Sequence, residues 1–275
     1  VIMNYSKKGI ELKQNYIKSN ARRLISKLRI TIFRLCVIAA VVAVIIGVYA
    51  GLGYIKGLID SAPNITQIDV SPKGFTTKVY DSEGNVIENL IGAEANREYV
   101  TIDKIPKIVQ DAFVCIEDER FYEHDGIDVR GILRAFFSGL KSGEFDQGAS
   151  TITQQLIKNQ VFEGGREQKF VDRMKRKIQE QYLAVQLENR MDKKQILEYY
   201  LNTINLGSGT YGVQTASKRY FNKNVWELTL SEAAVLAAIV QLPVYHNPIT
   251  NPDKNEARKN KVLRLMLEQG KCTQK

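Results

Sequence analysis

EDERFYEHDG, from Glu117 to Gly126, and GASTITQQLIKN, from Gly148 to Asn159, are the two polar clusters around which this sequence is organised. Between them, apolar residues recur at helical spacing, namely Val129, Ile132, Leu133, Phe136, Phe137 and Leu140. Asp128 stands where it would cap such a helix, so we predict a helix from Asp128 to Lys141. This helix would join a cluster of carboxylates to a cluster of hydroxyl, amide and amino groups.

Together the two clusters carry the groups needed to activate a hydroxyl beside a phosphate-bearing substrate. Glu117 ends an amphipathic pattern that begins at Pro106, which places its carboxylate beside buried residues and suits it to accept a proton. Thr151 with Gln154 predicts a capping box, and the free backbone N–H groups at that helix start would favour anionic oxygens.

The positive charge of the chain is confined to its beginning. The formal net charge of the 275 residues is +9. Residues 1–34 contain nine Lys and Arg against the single acid Glu11, which is +8 and leaves +1 for the rest. A nucleic-acid partner would require a basic surface on the folded domain, so this distribution argues against one.

The segment from Leu35 to Ile55 is apolar enough to cross a bilayer, with 21 residues and no charge. The basic excess before it predicts that residues 1–34 are cytoplasmic and that the chain after Lys56 is extracytoplasmic. A cleaved signal peptide is the alternative, but the long basic leader favours a retained anchor.

Residues 56–106 are expected to form an extracytoplasmic linker. Within it, the segments 76–80 and 86–90 flank the turn sequence DSEGN, which predicts a β-hairpin. The three cysteines, Cys36, Cys115 and Cys272, suggest neither a disulfide framework nor a zinc site. We interpret Cys115 and Cys272 as free thiols.

The chain after the second cluster is predicted to be mostly helical. In the segment from Glu167 to Glu188, four residues spaced by four predict a buried stripe: Phe170, Met174, Ile178 and Tyr182. Another helix starts after Asp192, a Gly-rich loop covers residues 206–212, and Thr229 with Glu232 caps an alanine-rich helix that ends before Pro243.

The sequence resembles the peptidoglycan glycosyltransferases, glycosyltransferase family 51, which occur in class A penicillin-binding proteins and as monofunctional transglycosylases. Residues 117–126 fit the family motif E-D-x-x-F-x-x-H-x-G, and residues 148–159 fit G-x-S-T-I-T-Q-Q-x-x-K-N. The motifs R-K-x-x-E, K-x-x-I-L-E-x-Y-L-N and R-x-x-x-V-L follow in order at residues 176–180, 193–202 and 258–263. The resemblance covers roughly residues 97–270, and its specificity comes from the ordered set of motifs.

The resemblance implies a mainly α fold: a lysozyme-like glycosyltransferase domain at residues 107–275, one N-terminal transmembrane helix at 35–55 and the short β-containing linker. It implies a single-pass protein of the bacterial cell membrane. Whether the chain is a monofunctional enzyme or part of a bifunctional protein stays open, although the linker favours the latter.

The implied reaction is polymerisation of peptidoglycan glycan from lipid II, with transfer of the growing chain to the GlcNAc 4-hydroxyl and inversion to a β-1,4 linkage. The family motifs assign Glu117 as the catalytic base and give Glu180 a second catalytic role near the diphosphate, either holding a divalent cation or orienting the basic groups. Substrate-binding residues carried over from the motifs are Asp118, Ser150, Thr151, Gln154, Gln155, Lys158, Asn159, Arg173, Arg176, Lys177 and Glu198.

A divalent cation, Mg²⁺ or Mn²⁺, is expected at the diphosphate, with no protein metal site and no organic cofactor. The expected partners are lipid II, the nascent glycan strand, the bilayer and proteins of cell-wall elongation or division. Because a lipid carrier holds its diphosphate at headgroup level, the helix bearing Phe137 and Leu140 is expected to contact the membrane.

Simpler interpretations stand beside these. Arg176 with Glu180 is a common solvated helical ion pair, Gln154 and Gln155 fit surface amides, and His124 fits a structural hydrogen-bonding residue. A lysozyme-like hydrolase would also use one glutamate, but it would not need the basic groups at 158 and 176–177. A non-catalytic scaffold protein is a third functional class, and the presence of both Glu117 and Glu180 argues against it.

Overall fold

Helices make up most of the chain in the computed structural model, which describes residues 6–18, 20–90, 96–142, 148, 150–165 and 167–273. The chain divides into two units, residues 1–60 and 61–275. The prediction of a mainly α fold with one N-terminal apolar helix and a two-stranded sheet is confirmed.

The first unit consists of helices α1 (Lys7–Lys18) and α2 (Asn20–Asp60). The apolar run predicted at residues 35–55 lies inside α2, which is long and apolar enough by length and composition to span a membrane. Its large apolar side chains from Leu24 to Ile55 are exposed. Such a surface is unfavourable in water over this length.

The second unit contains a β-hairpin followed by a set of helices. The hairpin pairs β1 (Thr77–Tyr80) with β2 (Val86–Leu90), and the helices are α3 (Lys107–Glu117), α4 (Val129–Ser142), α5 (Ile152–Val161), α6 (Phe170–Glu188), α7 (Lys193–Thr203), α8 (Val213–Phe221), α9 (Leu230–Ile239) and α10 (Pro252–Glu268).

The hairpin turn forms where the sequence predicts it. The Asp81 carboxylate accepts the backbone N–H groups of Glu83 and Asn85 at 2.9 and 2.8 Å. Gly84 has a φ of 84°, a conformation that L side chains rarely adopt. The strands are antiparallel, with an irregularity between Val79 and Tyr80.

Polar caps start several helices as predicted. Asp128 accepts the N–H of Gly131 at 2.9 Å at the start of α4. Asp192 caps α7, and Thr229 with Glu232 forms the reciprocal capping box of α9. Each cap satisfies backbone donors that the first turn leaves without a helical acceptor.

The core of the second unit is built from two helix groups. Helices α3, α9 and α10 pack against one another, and α5 packs against α6 and α7. The largest fully buried side chains include Phe113, Phe121, Leu156, Leu183 and Tyr200. The end of α3, which carries Glu117, thereby lies beside α10, and the start of α5 lies beside α6.

The end of the predicted linker belongs to this core. Val100, Ile102 and Ile105 are buried in it. The Val100 backbone exchanges hydrogen bonds of 2.9 and 2.8 Å with the Asn202 amide on α7. Residues 100–105 therefore pack as part of the helical unit, while the predicted domain start at residue 107 stays a prediction.

The buried face of α6 differs from the predicted one. Of the four predicted residues, Phe170, Met174 and Tyr182 are exposed and Ile178 is half-buried. The buried residues are instead Gln179, Glu180, Leu183, Ala184 and Leu187. The predicted stripe is wrong because two buried positions are polar, so a pattern of apolar residues alone selects the neighbouring face.

Candidate active site

Glu117 is the last residue of α3, and its side chain is 12 % exposed and lines a cavity. Its Oε2 accepts a hydrogen bond of 2.9 Å from the amide nitrogen of Gln155 on α5. Its Oε1 lies 3.8 Å from Nη2 of Arg258 on α10. The carboxylate is therefore held by one amide and one guanidinium from two other helices.

This environment suits Glu117 to act as a base. Burial raises the pKa of the Glu117 carboxyl above its usual range, and the nearby Asp118 charge raises it further. The Gln155 hydrogen bond and the Arg258 charge lower the pKa, without cancelling the effect of burial. A carboxylate with a raised pKa is a stronger proton acceptor than an exposed one.

Asp118 organises the backbone of the site. Its carboxylate accepts the N–H of Ile152, the first residue of α5, at 2.9 Å and contacts Nε2 of His124 at 3.0 Å. Both side chains are almost fully buried. This position agrees with a structural role for His124 and gives Asp118 a role in joining the first polar cluster to the second.

The surroundings of Gly126 explain why the motif E-D-x-x-F-x-x-H-x-G ends in a glycine. Its carbonyl oxygen accepts from Thr151 Oγ1 at 2.8 Å and from the Gln154 amide at 3.2 Å. Its φ is 88°, and a Cβ there would lie 2.7 Å from the backbone of Ala184. A side chain would therefore push α6 away from the start of α5.

The N-terminus of α5 is less available to a ligand than predicted. Thr151 accepts the Gln154 N–H at 3.2 Å, but the Gln154 side chain turns to Gly126, so only half of the predicted capping box forms. Asp118 already occupies the Ile152 N–H. The expectation of free N–H groups is wrong at Ile152 and Gln154, because protein oxygens satisfy both.

A second charged cluster surrounds Glu180 on α6, whose side chain is only 1 % exposed. Arg176 contacts one of its oxygens, and Lys177 lies 3.2 Å from the other. The Lys177 ammonium also donates to Ser150 at 2.5 Å and to Gln154 at 3.2 Å. The interpretation of Arg176 with Glu180 as a solvated pair is therefore wrong.

Burial lowers the pKa of Lys177, although the Glu180 carboxylate opposes this effect. Arg176 has a second partner in Glu167, with Nε to Oε2 at 2.7 Å. Gly165 lies against the same guanidinium, where a Cβ would be 2.6 Å from its carbon. The loop before α6 therefore holds Arg176 in place.

Two adjoining cavities meet at α5. The first, of about 580 Å³, is lined by groups from both polar clusters, including Glu117, Asp118, Ser150, Thr151, Gln154, Lys177 and Glu180. The second, of about 610 Å³, is lined by Arg97, Asn159, Asn205 and Tyr211 among others. Gln155, Lys158, Val240 and Gln241 line both.

The predicted site residues differ in how they relate to the two cavities. Most line the first cavity, Gln155 and Lys158 line both cavities, and Asn159 lines the second. Arg176 reaches the site through Glu180. Arg173 is exposed on α6 and Glu198 accepts the Ile102 N–H at 2.6 Å, and neither is among the residues lining the cavities.

The sequence prediction did not include Arg258, Tyr200, Gln241 or Lys261. Arg258 is the first residue of the motif R-x-x-x-V-L, and this position in the motif could have identified it as a site residue. Tyr200 lies within the fourth motif, but its hydroxyl reaches the site only through Gln155, at 3.2 Å. Among the described residues, no group of three or more His, Cys, Asp or Glu side chains is arranged to hold a metal ion.

Comparison with known proteins gives concordant matches. The family model described as Transglycosylase matches residues 83–267. The chain is 40 % identical over 237 residues to Penicillin-binding protein 1A of Aquifex aeolicus (strain VF5), covering 86 % of this chain and 32 % of that protein. It is 44 % identical over 195 residues to Penicillin-binding protein 1F of Bacillus subtilis (strain 168), covering 71 % and 26 %.

A third relative is Penicillin-binding protein 1A of Escherichia coli (strain K12), 39 % identical over 237 residues, with 86 % of this chain and 27 % of that protein covered. The chain thus spans about a quarter to a third of the length of these relatives. The crystal structure of Penicillin-binding protein 1A from Haemophilus influenzae aligns with a TM-score of 0.40 and 23 % identity over 73 % of this chain and 19 % of that one. An alignment this loose supports no structural argument.

Proposed function

The chain belongs to the transglycosylase family and carries a peptidoglycan glycosyltransferase domain, and from that premise we propose that it polymerises glycan chains from lipid II. The observation that carries the proposal is the position of Glu117. Its buried carboxylate lies in a cavity that is also lined by basic groups, among them Lys158 and Lys177. That arrangement pairs a proton acceptor with groups that bind a departing diphosphate.

In the proposed reaction, Glu117 takes the proton of the GlcNAc 4-hydroxyl of lipid II. The oxygen bonds to the MurNAc anomeric carbon of the growing chain as the bond from that carbon to the lipid diphosphate breaks. The electron pair leaves with the diphosphate, and attack from the opposite face inverts the centre. An alcohol is a weak nucleophile at neutral pH, so removal of its proton is needed as the bond forms.

The leaving group acquires negative charge, which cations and hydrogen-bond donors stabilise. Lys158 and Lys177 line the first cavity, and Arg176 adjoins it through Glu180. Ser150 and Gln154 bind the Lys177 ammonium and so hold it at the cavity wall. We assign Glu180 to orienting Arg176 and Lys177, because its two oxygens contact those groups.

The two cavities support a reaction between two glycans. A transfer needs one binding region for the growing chain and one for the incoming lipid II, and the cavities adjoin at Gln155 and Lys158. We propose that the two substrates meet there, beside Glu117. The 4-hydroxyl and the anomeric carbon would then approach each other within reach of the base.

The described residues do not assemble a protein site for the expected Mg²⁺ or Mn²⁺. Glu180 is already paired with two basic groups. A divalent cation would therefore have to bind mainly to oxygens of the substrate diphosphate, as Mg²⁺ commonly does with phosphates. No step of the proposed reaction depends on it.

The membrane setting follows from the same proposal. Lipid II is held in a bilayer by its lipid, and α2 is long and apolar enough to place the chain in that bilayer. We propose a single-pass protein of the bacterial cell membrane, with its catalytic unit outside the cytoplasm, where proteins of cell-wall elongation or division are further proposed partners.

The test is to incubate the purified full chain in detergent with lipid II and to separate the products by gel electrophoresis. We expect polymeric glycan and released undecaprenyl diphosphate. Finished glycan strands, supplied in place of lipid II, should stay uncut. Cleavage of those strands without polymerisation of lipid II would replace the proposal with a hydrolase.

A further inference from the structure

Tyr200 is a fully buried tyrosine whose hydroxyl lies next to the active site. Its ring packs in the core on α7. Its hydroxyl donates to Oε1 of Gln155 at 3.2 Å. Burial raises the pKa of Tyr200 far above its usual value, and the charges of Glu117 and Asp118 raise it further. The hydroxyl therefore keeps its proton and stays a donor.

The same amide binds the carboxylate of Glu117. Gln155 Nε2 donates to Glu117 Oε2 at 2.9 Å, while Gln155 Oε1 accepts from Tyr200. A glutamine side chain presents donors from its nitrogen and accepts at its oxygen. The hydroxyl at one end of the amide thereby sets which end faces the carboxylate.

Without that hydroxyl, the amide would lose the partner that fixes its direction. Rotation by half a turn would bring the amide oxygen against the Glu117 carboxylate, which repels it when ionised. A Tyr200 hydroxyl that served only to satisfy its own buried polar group would have no effect on Glu117. The two roles differ in what they do to the proton affinity of Glu117.

We propose that Tyr200 is a positioning residue that fixes the direction of the Gln155 amide, so that its N–H group faces Glu117 and keeps this base ionised. The proposal rests on the proposed function, because it assigns Glu117 as the base. Tyr200 acts through Gln155 and need not touch the substrate.

The other charged groups near Glu117 fix the expected sign. Arg258 from α10 favours the ionised carboxylate, whereas Asp118 on its own segment and the surrounding burial oppose it. The Gln155 hydrogen bond lowers the pKa of Glu117, so its loss would leave the pKa-raising effect of burial opposed only by Arg258. The pKa of Glu117 would rise, and a larger fraction of its carboxyl groups would be protonated at each pH near that pKa.

The test compares Tyr200→Phe with the full wild-type chain in the lipid II assay across pH. The substitution keeps the buried ring and removes only the hydroxyl. We expect the acidic limb of kcat/KM to move to higher pH by about 0.5 to 1 unit, the size expected for one hydrogen bond. The plateau at higher pH should change by less than about threefold.

A second measurement does not depend on activity. The carboxyl carbons of isotope-labelled glutamate can be titrated by NMR in the detergent-solubilised chain, with Glu117→Gln identifying the signal of Glu117. We expect the Glu117 midpoint to rise in Tyr200→Phe. In Gln155→Met, the further change Tyr200→Phe should have no effect on it, because the linking amide is gone.

Tyr220→Phe is the matched control. Tyr220 is a half-buried tyrosine whose hydroxyl donates to the Leu206 carbonyl at 2.7 Å, and neither of these two residues lines the cavities. An unchanged Glu117 midpoint in Tyr200→Phe, or an equal shift in Tyr220→Phe, would overturn the positioning role. Failure of the wild-type chain to polymerise lipid II would instead refute the proposed function, while the NMR titration still tests the Tyr200 contact.

Discussion

Glu117, which we propose as the catalytic base, carries an energetic cost for the folded chain. Its pKa is raised in the folded state, so its ionised form is less favourable there than in the unfolded chain. The stabilising effect of the neutral form is complete below about pH 4 and is lost as pH rises through the folded pKa. Carboxylates with a raised pKa are typical of active sites, where a group that serves catalysis lowers the stability of the fold.

We therefore expect Glu117→Gln to lower the rate of polymerisation strongly without destabilising the fold. The rate should fall by about a hundredfold or more, because the general base is lost. The melting temperature, followed by circular dichroism at neutral pH, should equal or exceed that of the wild type, and any gain should vanish in acid. Retention of more than roughly a tenth of the rate would remove Glu117 from the base role.

Lys158 is a basic residue that lines both cavities. Its removal should weaken the binding of the substrate diphosphate and the stabilisation of its charge as it departs. We expect Lys158→Ala to lower kcat/KM for lipid II by about thirtyfold, the effect of one charge-assisted hydrogen bond of about 2 kcal/mol. Steady-state kinetics on the folded variant measures this.

Lys194→Ala provides the control for Lys158, because Lys194 is an exposed lysine on α7 that pairs with Asp103 at 2.7 Å. That variant should keep nearly wild-type kinetics. A loss of activity in Lys158→Ala that only matched its loss of folded protein would leave no role for this ammonium in substrate binding.

At the scale of elements, α4 joins the two motif clusters and exposes an apolar stripe. Phe136 and Phe137 are 51 % and 65 % exposed, and Val129 and Leu133 are also exposed on this helix. The side chain of Leu140, also expected on this surface, lies outside the described residues. An exposed apolar stripe on an amphipathic helix is suited to the boundary of headgroups and acyl chains.

We expect a truncated protein that begins at Ser61 to bind anionic phosphatidylglycerol liposomes, and Phe136→Ser with Phe137→Ser to weaken that binding. Sedimentation with the liposomes measures the bound fraction, and circular dichroism checks the fold. Trp226→Ser changes an exposed aromatic residue on another segment and should leave binding unchanged. If the truncated protein stays in solution while polymerising detergent-dispersed lipid II at full rate, α4 makes no membrane contact.

At the scale of the whole molecule, the direction of insertion sets which side of the membrane receives the catalytic unit. The basic excess of residues 1–34 predicts a cytoplasmic N-terminus. In a chain without its native cysteines, Ser82→Cys should react with a membrane-impermeant maleimide on intact spheroplasts. Gln14→Cys should react only after lysis, and the reverse pattern would place the catalytic unit in the cytoplasm.

The sequence by itself established the family, the mainly α fold, the apolar helix and the hairpin, and the match over residues 83–267 confirms the family. These features depend on local patterns. The cap at Asp128, the turn around Gly84 and the uncharged run inside α2 each involve residues close together in the chain. Local interactions of this kind can be recognised without knowledge of the packing.

Only the tertiary structure decided which side chains meet. Arg258 on α10 and Tyr200 on α7 reach Glu117 and Gln155 from distant parts of the chain. The burial of Glu180 and the buried face of α6 also depended on packing, because a helical pattern with polar buried positions does not identify its inner face. Helical spacing orders residues within one helix, whereas contacts between helices depend on how whole surfaces fit together.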